Sequence, residues 1–455
     1  MVFDAIIELA AKALPISAMV RSLLENCLSA EILDDLFEEY RRCQYMRTLL
    51  FSTIVQLLSV VVCKVYPSMN AAVVAMHERL NVSDTSIWNK LNGTDPEVSA
   101  ALVKTSAQRL GEIMDGLGSL PEPLLGGYRT RILDGNCIEA SEHRLEPLRS
   151  IASGPLPGKV LAVLDPQRHL IVDIIPCLDG HAQERSLLPA LFPLISAGDL
   201  WIADRNFCTT EFFAQASARS AAVIIREHKN LPWILAGEAV LADSSGKIFE
   251  EPIKIPTADG GYIHARRIVA RLPKPTRDGD RHITLITTLP REHASAAQVL
   301  DLYAKRWTIE THFGMMSRAL AAEIPTLGHP KAAILALAVG FVCANIIGLI
   351  HATLQAAHPN VNIDQSVSDI RIAEEVQRTY DGMVAMSGND AWAPFQTFSA
   401  AMMVAWLLRC AANVALPRFR KSSRGPKKQG PPRSLYKNSP HVSTARLLQI
   451  QRVTK

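Results

Sequence analysis

The sequence predicts an α/β fold with an all-helical N-terminal domain, a mixed sheet with helices, a β-rich insertion and a basic C-terminal tail. Residues 1 to about 125 carry apolar side chains at helical spacing almost throughout. From Arg129 onward, short apolar runs bounded by turn residues alternate with helical runs. Between Arg226 and about Ala296 the helical spacing disappears, and Gly, Pro and Asp turns separate short β-prone runs. The predicted units are residues 1–125, 126–228, 229–296, 297–416 and 417–455.

The N-terminal domain carries helix start and stop signals. Ile32 to Val65 is dense in Leu and Val and predicts a helix that ends before Pro67. Two further helix starts are predicted at Ser83–Ser86 and at Thr94–Glu97, where small polar N-caps precede the helix and Pro96 takes its first position. Short helices with basic residues occur both in DNA-binding domains and in packing scaffolds, and the sequence is compatible with either role.

The predicted core sheet has five strands, and two of them finish in an aspartate. The first strand ends at Asp134, before the turn pair Gly135-Asn136, and the fourth ends at Asp204. The other predicted elements are a hairpin over Lys159–Leu164 and His169–Ile175, a helix over Gln183–Ile195, a helix from Thr209 through Ser217, and a strand over Ala221–Ile225.

A polar cluster interrupts the apolar helix predicted after the insertion. The run Ser295–Leu320 has no Pro and predicts one helix. Tyr303, Arg306 and Glu310 fall on or beside one face of it. Taken alone, Arg306 and Glu310 form an ordinary i,i+4 surface pair.

The segment Ala332–Ile350 is long and apolar enough to raise the question of a membrane span. It contains Asn345 and has no flanking aromatic belt. We therefore expect a buried core helix and no membrane partner, with a membrane span as the alternative.

The three acids predict a metal site. If the first and fourth strands are parallel neighbours, Asp134 and Asp204 emerge at the same edge of the sheet, and the later helix can bring Glu310 there. Three such carboxylates repel one another unless a cation lies between them, and Mg²⁺ prefers oxygen ligands. The alternative is structural: each acid singly suits a turn, a cap or an ion pair, roles that we assign to Asp165 and Asp173. Together, the order of the acids is ribonuclease H-like and favours the metal site.

Charge is concentrated at the C-terminal end. From Ala391 onward there are twelve Lys or Arg residues and no Asp or Glu. The net charge of the whole chain is +4, so the preceding 390 residues carry a net charge of −8. This asymmetry predicts a polyanionic partner for the tail. The eight cysteines form no C-x-x-C pair, and no signal peptide is evident, which together favour a reducing cytoplasm.

These motifs resemble those of DDE transposases of bacterial insertion sequences, specifically the IS-four type with its Y-R-E-K signature. The resemblance rests on Ile132-Leu-Asp134-Gly-Asn136, on Trp201-Ile-Ala-Asp204-Arg-Asn-Phe207 and on Tyr303-x-x-Arg306-x-x-x-Glu310, with Leu156-Pro-Gly158, Glu184-Arg185, Arg424-Gly-Pro-Lys-Lys428 and His441-Val-Ser-Thr444 in support. The signature expects Lys seven residues after the Glu. This chain has Ser317 there, with Arg318 beside it.

The resemblance implies a cytoplasmic enzyme that cuts the ends of its element in double-stranded DNA and joins the 3′-hydroxyls to target DNA, as a homodimer on DNA. Asp134, Asp204 and Glu310 would bind two Mg²⁺, for which Mn²⁺ can substitute. The expected DNA-binding residues are Tyr303, Arg306, Trp307, Arg318, Arg226, His228, Lys229, Arg418, Arg420, Lys421, Arg424, Lys427 and Lys428. Trp307 either stacks on a displaced base or packs in the core. The alternatives are a non-catalytic DNA-binding descendant and a Mg²⁺-dependent nuclease without strand transfer.

Overall fold

The computed structural model describes residues 5–44, 48–80, 82–242, 246–275, 279–388, 390–422 and 441–454. The predicted tail residues Arg424, Lys427 and Lys428 lie outside the described residues. Within the described part of the chain, helices pack on both faces of a large mixed sheet. The α/β class predicted from the sequence is therefore confirmed.

The N-terminal region is helical, as predicted. Its helices are α1 (Ala5–Ala13), α2 (Pro15–Cys27), α3 (Ala30–Tyr40), α4 (Phe51–Val62), α5 (Met69–Ala75), α6 (His77–Leu80), α7 (Asp84–Gly93) and α8 (Pro96–Gly116). The two predicted helix starts are confirmed. The Ser83 hydroxyl accepts a hydrogen bond from the Ser86 N–H at α7, and Pro96 opens α8.

The single helix predicted over Ile32–Val65 is wrong, because the chain leaves the helical conformation after α3. Arg41 takes an extended backbone conformation. The next helix then starts against the previous one, since Asp34 accepts hydrogen bonds from both the N–H and the hydroxyl of Ser52, each at 2.9 Å. A tertiary contact of this kind leaves no trace in hydrophobic spacing.

Strands follow from residue 129. They are β1 (Arg129–Cys137), β2 (Pro155–Leu156), β3 (Lys159–Asp165), β4 (Leu170–Cys177), β5 (Asp199–Ala203), β6 (Ala222–Arg226), β7 (Ile234–Leu235), β8 (Val240–Leu241), β9 (Ile248–Pro256), β10 (Tyr262–Arg271) and β11 (His282–Thr287). Among the described residues, ten strands form one sheet in the order β4-β3-β1-β5-β6-β11-β10-β9-β7, and β8 also pairs with β9.

The centre of this sheet is mixed. Strand β1 is parallel to β5, and β5 is parallel to β6. The hairpin β3–β4 is antiparallel and joins the sheet through β3 against β1. At the other side, β11 pairs antiparallel with β6, so the β-rich insertion extends the same sheet. The parallel trio therefore sends the carboxyl ends of β1, β5 and β6 to one edge.

Two predicted elements around the first two acids differ from the structure. Strand β1 does not stop at Asp134, because Gly135 and Asn136 continue to pair with Leu161 and Val160 of β3. The helix predicted over Gln183–Ile195 is replaced by two 3₁₀ turns, Glu184–Leu187 and Phe192–Leu194, around the one-turn helix α9 (Leu188–Leu191). Pro189 and Pro193 explain this, since proline has no N–H to donate and clashes with the preceding turn of a helix.

The helix predicted from Thr209 is found as α10 (Thr210–Ala218), capped by the Thr209 hydroxyl.

The helix predicted over Ser295–Leu320 is two helices. Helix α11 (Ala296–Ala304) starts with a capping box between Ser295 and Gln298, and α12 (Trp307–Ala319) follows after a break at residues 305–306. The N–H groups of Lys305 and Arg306 bond to carbonyls three residues back, at 3.0 and 2.9 Å, which tightens the turn. No Pro or Gly in the sequence signals this break. It accompanies the tertiary contact of Arg306 with the sheet.

Helix α13 (Pro330–Ala357) is the central helix of the described structure. It packs against α4, α8, β4 and the later helix α16 (Ala400–Ala411), and 94% of its most apolar stretch is buried. It is also the one helix among the described residues that is long and apolar enough to cross a membrane. The burial is that expected of a core helix, which agrees with our reading of Ala332–Ile350.

The C-terminal region follows α13 and includes the described part of the tail predicted over residues 417–455. Its elements are α14 (Ile363–Ser366), α15 (Asp369–Ser387), α16 (Ala400–Ala411), β12 (Val442–Ser443) and α17 (Thr444–Thr454). Strand β12 pairs with β2, and Arg446 forms a 2.7 Å ion pair with Asp179. On the N-terminal side of the basic stretch, the Lys421 N–H donates to the Ser366 carbonyl at 2.7 Å. The described residues on both sides of the basic stretch are therefore anchored.

We predict that Asn345→Leu destabilises the protein through the edge of the sheet. In the buried interior, Asn345 exchanges two 2.8 Å hydrogen bonds with the N–H and C=O of Ile171 on edge strand β4. The variant leaves both backbone groups buried without a partner, which lowers the free energy of unfolding by roughly 2–4 kcal/mol. Thermal and urea unfolding measure the loss, and Asn360→Leu, at an exposed position, is the control. Equal stability of the two variants would contradict this account.

Candidate active site

The first two predicted acids lie side by side on neighbouring parallel strands. In the register of β1 and β5, Leu133 is opposite Ala203, so Asp134 and Asp204 each follow the last paired position. Leu133 and Ala203 belong to the apolar cluster on one face of the sheet. Because side chains alternate along a strand, the two carboxylates point to the opposite face.

The third acid reaches the same place from α12. Ile309 and Met316 of this helix pack in the apolar cluster on the same face as the aspartates. That cluster also holds Ile132 and Ile202, which lie two residues before Asp134 and Asp204. Helix α12 also contacts β1 directly. Glu310 therefore lies on the same side of the sheet as Asp134 and Asp204, which is the arrangement that the sequence predicts.

Arg306 joins the acids. Its guanidinium donates to Asp134 Oδ2 and to Glu310 Oε1, each at 2.9 Å. Its side chain is only 9% exposed, whereas that of Glu310 is 41% exposed. Burial alone would lower the pKa of Arg306, but Tyr303, Asp134, Asp204 and Glu310 together raise it above its ordinary value. A buried cation thus holds two of the acids and is itself kept charged by them.

Tyr303 links the remaining acid to this cluster. Its hydroxyl donates to Asp204 Oδ1 at 3.5 Å, the long limit of a hydrogen bond. Burial and the neighbouring Asp204 raise the pKa of the Tyr303 hydroxyl, so it remains a protonated donor at neutral pH. Tyr303 and Arg306 lie on either side of the break between α11 and α12, so this tight turn presents both donors to the acids.

A fourth carboxylate, which the sequence analysis did not place in the site, lies beside Asp134. Glu184 Oε1 stands 2.2 Å from where a Cβ on Gly135 would be, so a larger residue at this position of β1 would force the Glu184 side chain to move. Asn206, in the turn after Asp204, donates to the other oxygen of Glu184 at 3.3 Å. The signal in the sequence was the glycine directly after Asp134. Its meaning depends on a contact with a residue 49 positions away, which spacing does not reveal.

The pKa of Asp134 is raised to about 6. Burial is the main cause, and the nearby Glu184 and Glu310 add to it, while Arg306 and the Gly135 N–H act in the opposite direction. An acid held this far above its ordinary pKa lacks sufficient compensating positive charge.

The donor atoms of the three acids are of the chemical type that a hard divalent cation prefers. Asp134, Asp204 and Glu310 offer only oxygen atoms, which Mg²⁺ and Mn²⁺ prefer. In the described part of the chain, however, no three His, Cys, Asp or Glu side chains stand close enough together to hold an ion. Arg306 is instead the cation between Asp134 and Glu310. Occupancy by a metal ion therefore requires Arg306 to release at least one of these carboxylates.

Four further predicted DNA-binding residues lie either next to this cluster or just after strand β6. Trp307 is 60% exposed, and the Arg306 guanidinium lies 5.1 Å from its ring centroid, so core packing is excluded for this side chain. Arg226, at the end of β6, is close enough to lower the pKa of Tyr303, but it also forms a 2.6 Å ion pair with Asp280. His228 and Lys229 follow β6, and Lys229 is exposed.

Arg318 does not take the position of the signature lysine. It is exposed in the last turn of α12, and its guanidinium lies over Gly314 of the same helix, 2.8 Å from where a Cβ would be. Ser317 shares a helix face with Glu310, because seven residues make almost two turns. Its hydroxyl donates to the Phe313 carbonyl at 3.0 Å.

The described basic residues of the tail lie away from the acids. Lys421 lines a cavity with Thr308, Thr311 and His312 of α12, which is the helix face opposite Glu310. Arg420 forms a backbone bridge with Val367, and Arg418 lies 3.5 Å from Glu375. The structure thus does not bring Arg418, Arg420 and Lys421 together with the carboxylates.

We predict that Asp134→Asn stabilises the fold at neutral pH. A carboxyl whose pKa rises from 3.8 to about 6 on folding binds its proton more tightly in the folded state. Its ionisation therefore costs stability above pH 6, and this cost disappears below about pH 4. The variant should gain up to about 3 kcal/mol at pH 7, and the gain should vanish near pH 4.

Thermal unfolding from pH 4 to 8 without divalent cations measures the gain, and Asp301→Asn, at an exposed position of α11, is the matched control. A variant as stable as the parent at pH 7, or one whose gain does not depend on pH, would contradict the burial argument.

Comparison with known proteins points to one family. No curated protein matches the chain. Residues 126–339, just under half of the chain, match the family model of the transposase DDE domain. This segment runs from just before β1 into α13 and contains all three acids. The part of the chain that builds the carboxylate cluster is therefore similar to the DDE domain of transposases, which supports a DDE transposase.

Proposed function

We propose that this protein is the DNA transposase of an insertion sequence of the IS-four type. It cuts the ends of its element and joins the freed 3′-hydroxyls to target DNA. The observation that carries the proposal is the meeting of Asp134, Asp204 and Glu310 on one side of the sheet, within the segment that resembles a transposase DDE domain. We further propose that it acts in the bacterial cytoplasm, bound to the nucleoid.

In this proposal Asp134, Asp204 and Glu310 hold two divalent cations, Mg²⁺ or Mn²⁺. When bound, such ions activate a water or 3′-hydroxyl for in-line attack on a phosphodiester and stabilise the leaving oxygen. The protein contributes the geometry: the parallel pair β1 and β5 fixes the two aspartates, and α12 supplies Glu310. The raised pKa of Asp134, caused by burial and by the nearby Glu184 and Glu310, supports a site that gains from added positive charge.

Arg306 and Tyr303 bind the phosphate in this scheme. The guanidinium already lies between two acids, and its planar fork matches two phosphate oxygens as well as it matches carboxylates. The Tyr303 hydroxyl is a protonated donor beside Asp204. Both groups are held by burial before DNA arrives, so little ordering is needed on binding.

Trp307 suits contact with an unpaired base. Its ring is exposed and forms a cation–π contact with the Arg306 guanidinium. Aromatic rings stack on any base, so this contact needs no particular sequence. We propose that Trp307 stacks on a base displaced beside the cut. Cutting two ends of an element also suits a homodimer assembled on DNA.

One alternative has a specific observation in its favour. Ser317 replaces the signature lysine, and Arg318 lies over its own helix instead of filling the gap. A non-catalytic DNA-binding descendant would tolerate that loss. All three acids are present in the chain, and this favours the enzyme.

We predict metal-dependent nicking of DNA that carries the inverted repeats flanking the coding region. With Mg²⁺ or Mn²⁺, the parent should nick at the repeat ends, and Asp204→Ala should reduce the rate at least about a hundredfold. Asp301→Ala, an exposed aspartate on α11, is the control and should retain activity. Denaturing gels measure the nicks.

The products separate the alternatives. Joined strands in the presence of target DNA support a transposase, whereas nicks without joining indicate a nuclease. In the opposite outcome, the parent and Asp204→Ala bind the repeats equally well without any nick. That result would contradict the proposed enzymatic activity and support the non-catalytic DNA-binding descendant.

A further inference from the structure

A cavity of about 290 Å³ continues the carboxylate site along β1 and α12. Its lining includes Asn136, two residues after Asp134 on the same face of the strand, and Ser317, two helical turns after Glu310 on the same face of the helix. Phe313 and Leu320 supply apolar wall. A DNA strand that crosses the acids in this direction runs into the cavity.

The cation of this cavity is Lys64, which belongs to the distant N-terminal helical region. Lys64 follows α4 and lines the cavity with Ser317 and Asn136. Its ammonium donates to the Arg318 carbonyl, in the last turn of α12, at 3.0 Å. One of its three N–H donors is used by this bond, and the side chain remains exposed enough to accept another partner.

The backbone at Lys64 is held in a conformation that favours glycine. Its φ is +59°, in the left-handed region, where few residues other than Gly, Asn and Asp are found. Hydrogen bonds around it fix this turn: the Val65 N–H donates to the Val60 carbonyl at 2.9 Å, and the Ala321 N–H donates to the Val62 carbonyl at 2.8 Å. The second bond ties the turn to the chain just after α12. A lysine in a strained position beside a cleft suggests a role for its side chain.

Two of the other polar groups at the cavity are already engaged. Glu323 accepts hydrogen bonds from the N–H groups of Glu139 and Ala140, both at 2.8 Å. The Ser317 hydroxyl bonds to its own helix. Among the described residues that line the cavity, Lys64 is the group with the charge to bind a phosphate.

We propose that Lys64 is a DNA-contacting residue that binds a backbone phosphate of the strand next to the cut. It supplies, from another part of the chain, the cation that the signature places at residue 317. This assignment rests on the proposed function. The ligand class is a nucleic-acid phosphodiester, and the binding group is an ammonium presented beside the C-terminal turn of α12.

Lys64→Gly tests the assignment without endangering the fold, because glycine adopts φ +59° without strain. Binding to repeat-end DNA is measured in an Asp204→Ala background without divalent cations, at several salt concentrations. Removal of one phosphate contact should weaken binding about three- to tenfold at moderate salt and reduce the slope of log affinity against log salt by about 0.7–0.9. Lys12→Gly, an exposed lysine on α1, is the control and should change neither quantity.

A second substitution separates this role from a structural one. Adding Ser317→Lys to Lys64→Gly places an ammonium on the same cavity from α12 and should restore the affinity and the salt slope. Thermal unfolding is measured in parallel, since a lysine that only caps α12 would alter stability and not the salt slope. An unchanged slope in Lys64→Gly, or a loss that Ser317→Lys does not repair, overturns the assignment of Lys64 alone. Failure of the parent to bind repeat-end DNA overturns the proposed function with it.

Discussion

The structure depends on one buried cation. Arg306 reaches from the break between α11 and α12 to Asp134 on the sheet and to Glu310 on its own helix. Without it, two carboxylates would lie close together at the inner side of a sheet edge, and their repulsion would push α12 away from β1. The same guanidinium braces Trp307 and helps to hold Tyr303 beside Asp204. A single residue therefore connects Glu310 on α12 to Asp134 on the sheet.

This arrangement also explains why the site is poised for change. In the proposed function the acids release the arginine between them, and the pKa of Asp134 is raised although Arg306 is its partner. Charge balance in the resting protein is thus incomplete. Divalent cations and the phosphates of DNA would supply the two missing partners, one for the carboxylates and one for the guanidinium. Metal ions and DNA would then favour each other's binding.

Much of this site could be predicted from the sequence because its parts are local. Asp134 and Asp204 each follow a short apolar run of sequence. The spacing of Tyr303, Arg306 and Glu310 is helical, although the structure places Tyr303 on α11, Glu310 on α12 and Arg306 at the break between them. The features that escaped prediction all depend on contacts between distant residues. Gly135 was assigned to a turn, whereas it lies inside β1, where it pairs with Leu161 of β3. The helix break at Arg306 has no Pro or Gly to signal it, and Lys64 lies 254 residues before Arg318, whose carbonyl it contacts.

The first and last parts of the described chain pack against each other. Asn26 of α2 donates hydrogen bonds to the carbonyls of Phe395 and Phe398, at 2.9 and 3.0 Å, and Glu8 of α1 pairs with Arg409 of α16 at 2.9 Å. Among the described residues, strand β2 pairs only with β12. Helices α1 and α2 therefore complete their packing only with late elements of the chain, through hydrogen bonds that span at least 369 residues. Contacts of such long sequence separation form slowly, so these helices dock late in folding.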